Sequence, residues 1–171
     1  MPIDLRQHAR LVAQLQAAAV NSATEFDRVA KDAARAARTE VGRAVSTTYN
    51  IGSRRVVQSL AARATGPLAF EVTGRGPPIS AASFGGRQVA SGYRVQVVRG
   101  GPSVTISRGF QPKRGGAPLR RVGKSRLPVR AITGPGVASM MDDQRVHIPA
   151  ELAVSTRIER VLQRRLDKAL A

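Results

Sequence analysis

Gly92-Tyr93-Arg94-Val95-Gln96-Val97-Val98-Arg99-Gly100-Gly101-Pro102-Ser103-Val104-Thr105-Ile106 reads as a β-hairpin, and its place between two helical stretches decides the fold class. Tyr93, Val95 and Val97 alternate with Arg94, Gln96 and Val98, the period-two pattern of a half-buried strand. Gly100-Gly101-Pro102 supplies the turn into Val104 and Ile106. Arg94 and Gln96 then lie on the outer face, because successive side chains of a strand point to opposite sides. Upstream, Leu68, Phe70 and Val72 alternate with Ala69 and Glu71 in the same way.

Outside this strand-rich zone the period changes. Leu5, Ala9, Val12, Leu15 and Ala19 recur at helical spacing until Asn21-Ser22 interrupts them. A second helix is expected from Thr24 as its cap, with Asp27 three residues on. Phe26, Val29/Ala30, Ala33, Ala37, Val41, Ala44 and Thr48 form one stripe along it, narrow and alanine-rich, so a partner can approach closely. Asn50-Ile51-Gly52-Ser53 marks a turn, and a short helix is expected to bury Val56, Val57 and Leu60 and to stop at Gly66-Pro67. Beyond Gly134-Pro135-Gly136 comes the short apolar segment Val137-Ala138-Ser139-Met140-Met141. Pro149 fits the first position of a final helix with Val154, Ile158, Val161/Leu162, Leu166 and Ala169 on its inner face. The expectation is a single α+β domain over residues 1–171: helical at 1–66, strand-rich at 67–132, helical at 133–171. Its parts are N-terminal helices, a small antiparallel sheet with a long basic loop at 107–128, and a C-terminal helix.

Charge is the second organising feature. From Val72 to Met141 there is no Asp or Glu, yet this stretch carries Arg75, Arg87, Arg94, Arg99, Arg108, Lys113, Arg114, Arg120, Arg121, Lys124, Arg126 and Arg130. The flanks hold the other sixteen Lys/Arg and all eleven Asp/Glu, so most of the formal +17 sits in the middle of the chain. Such a stretch cannot neutralise itself by internal salt bridges; its charge must face solvent, a neighbouring chain or a polyanion. Clustering on one Gly/Pro-rich segment favours an anionic partner. Arg108, Lys113, Arg114, Arg120, Arg121, Lys124 and Arg126 are therefore the candidate residues for contact with DNA or a partner protein. Arg94, Arg99 and the helical Arg28, Arg35 and Arg38 are weaker candidates. Tyr93, Phe84 and Phe110 are too few and scattered to stack bases in series, so any nucleic acid contact is to phosphate and indifferent to sequence.

Other chemistry is poorly served. The chain has no cysteine, hence no disulfide framework and no thiolate metal site. His8 and His147 are the only histidines; Asp142, Asp143 and His147 match no metal-ligand spacing and read as a turn with capping residues. Gly123-Lys124-Ser125 resembles the end of a phosphate-binding loop, but Pro118 stands where its first glycine belongs and Arg126-Leu127-Pro128 continues as an extended segment rather than a helix. No nucleophile has a base and an orienting acid at recognisable spacing. The chain is expected to be non-enzymatic and to need no cofactor. Met1-Pro2-Ile3-Asp4 lacks a secretory profile, and no apolar run approaches the ~18 residues of a membrane span.

The order of local signatures resembles a known family. Arg43-Ala44-Val45-Ser46-Thr47-Thr48-Tyr49-Asn50-Ile51 is followed by Ile79-Ser80-Ala81-Ala82-Ser83-Phe84, Gly92-Tyr93-Arg94-Val95-Gln96-Val97 and Gly109-Phe110. Then come Arg126-Leu127-Pro128-Val129 and Gly134-Pro135-Gly136-Val137-Ala138-Ser139-Met140-Met141. Over residues 25–170 this order resembles the phage minor tail protein Z family, the tail completion proteins of long-tailed bacteriophages. Here the segment after Phe110 is richer in Gly, Pro and Arg, and an aromatic expected near Arg120-Arg121 is missing. The resemblance implies a structural virion protein at the head–tail junction, made in the host cytoplasm. It implies a homo-oligomeric, hexameric ring that meets the tail tube or tail terminator and the head–tail connector, with double-stranded DNA passing through its channel and no membrane. Two alternatives stand beside it: a tail terminator of the same neck region, and a free, sequence-independent nucleic-acid-binding protein.

Overall fold

The structure, a computed structural model, describes residues 2–3, 23–66 and 69–170. The expected first helix with its His8, and Pro67 and Leu68, lie outside the described residues, as do the side chains of Phe26, Leu166 and Ala169. The architecture is α+β, with a long helix near each end and small antiparallel sheets between them.

Helix α1 (Ala23–Thr48) places Thr24 inside its first turn, with Ala23 already helical. Its stripe is buried as expected: Val29, Ala30, Ala33, Ala37 and Val41 are at most 3% exposed, joined by Ala34 and Val45. What covers the stripe is the chain itself. Helix α4 (Gln144–Leu170) packs antiparallel on α1, with Arg165 bonded to Asp32 at one end and the Thr48 hydroxyl donating to the Arg145 carbonyl at the other. Val154, Ile158 and Leu162 are fully buried, each contributing roughly 1.5–3 kcal/mol by leaving water. The alanines allow this close helix–helix approach, so the stripe is not free to join copies in a ring. Ala37→Leu is expected to cost about 1–3 kcal/mol by overpacking, read as a lower denaturation midpoint in the isolated chain. A ring-facing Ala37 would leave that midpoint unchanged.

Helix α4 starts at Gln144, not at Pro149. Asp143 caps it: its Oδ1 accepts the Arg145 N–H at 3.0 Å and its carbonyl accepts the Val146 and His147 N–H groups. Pro149 therefore sits inside the helix, where its missing N–H would leave the Arg145 carbonyl unpaired. The Thr48 hydroxyl, 3.3 Å away, takes that place. The Asp143 carboxylate also accepts from Arg145 Nη2 at 2.7 Å and from the buried Tyr49 hydroxyl at 2.7 Å. Those bonds, Arg145 foremost, hold Asp143 well below the usual carboxylate range, while burial and then the Asp143 bond push Tyr49 up to about 12. The Asp143 contribution to stability is thus complete above the ordinary aspartate range and is lost as pH falls through its lowered folded value.

The second correction falls at residues 60–66. Helix α2 (Ser53–Gln58) buries Val56 and half-buries Val57, but Leu60 opens a strand instead of closing the helix. Strands β1 (Pro2–Ile3), β2 (Leu60–Gly66) and β3 (Ala69–Gly74) form a sheet of order β1-β3-β2 beneath α1. Leu60-Ala-Ala-Arg-Ala suits a helix by propensity; pairing with β3, whose Phe70 and Val72 are buried, overrides it. Arg63 lies opposite Glu71 across the strands and bonds it at 2.8 Å, keeping that carboxyl below its ordinary range.

The expected hairpin is β5 (Gly92–Val95) with β6 (Val104–Ile106), but the strand stops at Val95 instead of running on through Val97 and Val98, whose backbone pairs with the end of α1. The Asn50 N–H donates to the Val97 carbonyl and Val98 bridges Tyr49; β4 (Arg87–Val89) adds on the other edge of β5. Tyr93 and Val95 are buried and Arg94 is exposed. The third correction concerns residues 107–128, which are not one long loop. They contain β7 (Gly109–Phe110) and β8 (Leu119–Arg121), and β9 (Val129–Ala131) completes a third sheet of order β7-β8-β9. Helix α3 (Val137–Met141) buries Val137, Met140 and Met141 against the single core. No helix among the described residues is long and apolar enough to cross a membrane.

Candidate anion-facing surface

Two-residue strand alternation explains how the third sheet distributes its cations. Arg120 and Arg121 are neighbours in β8, so they leave opposite faces of the sheet. Arg120 pairs across the strands with Arg130 of β9, which puts two guanidinium groups directly opposite each other. Like charges in that position are destabilising unless something negative meets them. Together with Ile106, Val122 and Ile132 they line a shallow groove of about 330 Å³.

Arg121 faces the other way. Phe110 stands opposite Leu119, one diagonal step from Arg121, and the Arg121 guanidinium carbon lies 5.2 Å from the Phe110 ring centre. Arg108 joins this second cleft, about 250 Å³ in volume, with Gln88 and Ser91. Arg108 adopts φ of 59°, an uncommon conformation for a side-chain-bearing residue, in the turn from β6 to β7. Gln88 locks the two small sheets together: its Oε1 accepts the Gln111 N–H at 2.7 Å and its Nε2 donates to the Gly92 carbonyl at 3.1 Å.

The remaining candidates sit on the connections. Lys113 and Arg114 lie in residues 111–118, between β7 and β8; Lys124 and Arg126 lie in residues 122–128, between β8 and β9. In an antiparallel meander these turns are at opposite ends of the sheet. The seven candidates are all exposed but do not form one patch: Arg120 is on one face, Arg108 and Arg121 on the other, and two residues project at each end. Gly123-Lys124-Ser125 leads into a strand, not a helix.

Two of the weaker candidates have structural duties. Arg38 donates through Nε and Nη2 to the Val57 carbonyl at 3.0 and 2.6 Å, tying α2 to α1. Arg99 donates to the Ser46 and Tyr49 carbonyls at 2.8 and 3.2 Å, closing the C-terminal end of α1. Arg35 is exposed beside Asp32 at 3.7 Å, Arg28 is exposed on α1, and Arg94 donates to the Thr105 hydroxyl at 3.3 Å. Arg94 also stands directly opposite Arg87. Arg87 and Arg130 are thus site residues that charge counting alone did not separate from the background. The signal for Arg130 was there in Leu119-Arg-Arg and Val129-Arg-Ala, two short segments across a Gly- and Pro-containing turn.

Among the described residues, none of the twelve cations between Val72 and Met141 forms an ion pair. The described residues also hold no group of three metal-ligating side chains. The surface offers forked donors over an apolar floor and no acceptor of like strength, which suits carboxylate or phosphate groups supplied from outside. In comparisons with family models, curated proteins and solved structures, nothing matches the chain.

Proposed function

We propose that the chain is a structural virion protein at the head-proximal end of a phage tail, where it completes the tail and joins it to the head as part of a ring around the DNA channel. One observation carries the reading: twelve cations that form no ion pair among the described residues, two pairs of them set directly opposite across strands. A chain that folds with such opposition is built to meet negative charge in a larger assembly. The order of signatures from Arg43 to Met141 supplies the choice of assembly, by its resemblance to tail completion proteins. Arg108, Lys113, Arg114, Arg120, Arg121, Lys124 and Arg126 supply phosphate-type or carboxylate-type contacts to DNA, tail tube or connector. Diffuse contacts of this kind allow DNA to pass because they read no base.

Imaging purified tails made with and without the protein tests the proposal. Density at the upper end of the tail is expected only when the protein is present, together with the ability to accept filled heads. A protein that is absent from tails, yet binds duplex DNA alone with a steep salt dependence, is the free nucleic-acid-binding protein instead.

A further inference from the structure

The third sheet ends in a two-stranded arm. Strand β7 reaches only Gly109 and Phe110, opposite Arg120 and Leu119, so beyond Arg121 the β8–β9 hairpin runs on without it. The Val122 N–H donates to the Pro128 carbonyl at 3.1 Å and closes the arm, and residues 124–128 at its tip are all exposed. Each face carries a pair of exposed arginines: Arg120 and Arg130 on one, Arg108 and Arg121 on the other. Lys124 and Arg126 add two charges at the tip. None of these six forms an ion pair among the described residues, and no carboxylate lines the cleft on either face.

We infer that this arm enters the major groove of duplex DNA tip first, with its two faces turned to the phosphates of opposite strands. The inference deepens the proposed function by fixing DNA as the partner of the arm, and rests on that reading for the place where the two meet. A flat acidic surface, of a protein or a membrane, meets one face of the arm and leaves the other pair of arginines unmatched. A groove meets both, because its two walls are the two phosphate backbones. The dimensions agree. Packed sheets lie about 10 Å apart, which is also the thickness of a ribbon with side chains on both faces. The major groove is about 12 Å wide and admits such a ribbon; the minor groove, at about 6 Å, does not. Composition points the same way, since the centres of protein–protein interfaces are depleted in charge whereas protein–DNA interfaces are strongly positive. Val122 and Leu127, 45% and 67% exposed on the arm, find thymine methyl groups in the major groove.

Binding of the full-length chain to a mixed-sequence DNA duplex, titrated with salt, tests the arm. Six phosphate contacts give a log–log salt slope of about −5. Arg120→Gln with Arg130→Gln is expected to reduce that slope by about 2, and Arg108→Asn with Arg121→Gln to reduce it by as much, because each pair faces its own strand. Asparagine at 108 tolerates the positive φ of that position. The same duplex carrying glucosylated 5-hydroxymethylcytosine, whose sugars fill the major groove, should bind at least about tenfold more weakly, whereas distamycin in the minor groove should change nothing. A chain that does not hold the duplex at low salt overturns the inference. So does a slope that only one arginine pair changes, glucosylated DNA that binds equally well, or polyglutamate or phosphatidylserine vesicles that bind as tightly as the duplex. If tails need the protein for head joining while duplex DNA is not held, the arm contact fails and the proposed function survives. If the duplex is held through both faces by a protein that tails do not need, the arm contact stands and the proposed function falls.

Discussion

Particles made with Arg120→Glu, Arg121→Glu and Lys124→Glu are expected to accumulate as separate heads and tails, although the variant chain folds like its parent. All three side chains are exposed and make no ion pair among the described residues, so the changes at 120 and 124 each stay within the roughly ±0.5 kcal/mol of ordinary surface changes. The change at 120 even places a carboxylate opposite Arg130 and relieves the like-charge opposition across β8 and β9. The change at 121 removes the stacking of its guanidinium on Phe110, worth about 0.5–1 kcal/mol at an exposed site. On the proposed function, joining suffers much more, because a repulsive charge replaces an attractive one on both faces of the sheet and at one end. The checks are thermal unfolding of the purified variant and electron microscopy with titre of the particles. Normal infectious particles would remove β8 from the junction. Where DNA is the partner, each phosphate interaction removed should also lower the salt slope of binding by about 0.9.

The residues that carried their structure openly were those with local periodicity. The alanine stripe of α1, the Tyr93/Val95 alternation and the Val154–Ile158–Leu162 face all place their burial through spacing alone. Segments whose state depends on a distant partner were opaque. Leu60-Ala-Ala-Arg-Ala has helix propensity and becomes a strand because Phe70 and Val72 of β3 pair with it. Pro149 reads as a helix start because the Thr48 hydroxyl, 97 residues from the Arg145 carbonyl it bonds, is what lets the helix pass through it. The same limit shaped the site. Seven cations on one segment read as a cluster, but only strand register shows that Arg120 and Arg121 face apart and that Arg130 belongs with Arg120. Arg38 and Arg99 looked like free charge; each is a backbone cap between elements far apart in sequence. The alanine stripe taught the converse lesson, since a surface fit for a close partner found that partner in the chain's own α4.

Phe84→Ala is expected to cost about 3–5 kcal/mol, a large share of the roughly 5–15 kcal/mol that holds a domain of this kind together. Phe84 is fully buried at the end of a short 3-10 turn (Ala81–Phe84), where helical and strand-rich parts meet. Its carbonyl accepts the Asn50 amide at 2.9 Å, which ties the turn to the segment after α1. Around it, the Ala81 N–H donates to the Ile132 carbonyl and the Gly134 N–H to the Ile79 carbonyl, so the chain after β9 is held against the same turn. The ring needs the space that Gly134 leaves: a Cβ there would lie 2.6 Å from the ring edge. That close approach makes a sharper test than truncation alone. Gly134→Ala is expected to destabilise the parent by overpacking and to cost far less in the Phe84→Ala background, where the same methyl enters the cavity. Denaturant midpoints of the two single variants and the double variant read this coupling directly, with an unchanged m-value confirming that stability alone has moved. Additive losses would mean that the turn shifts as a unit and that Gly134 is glycine for another reason.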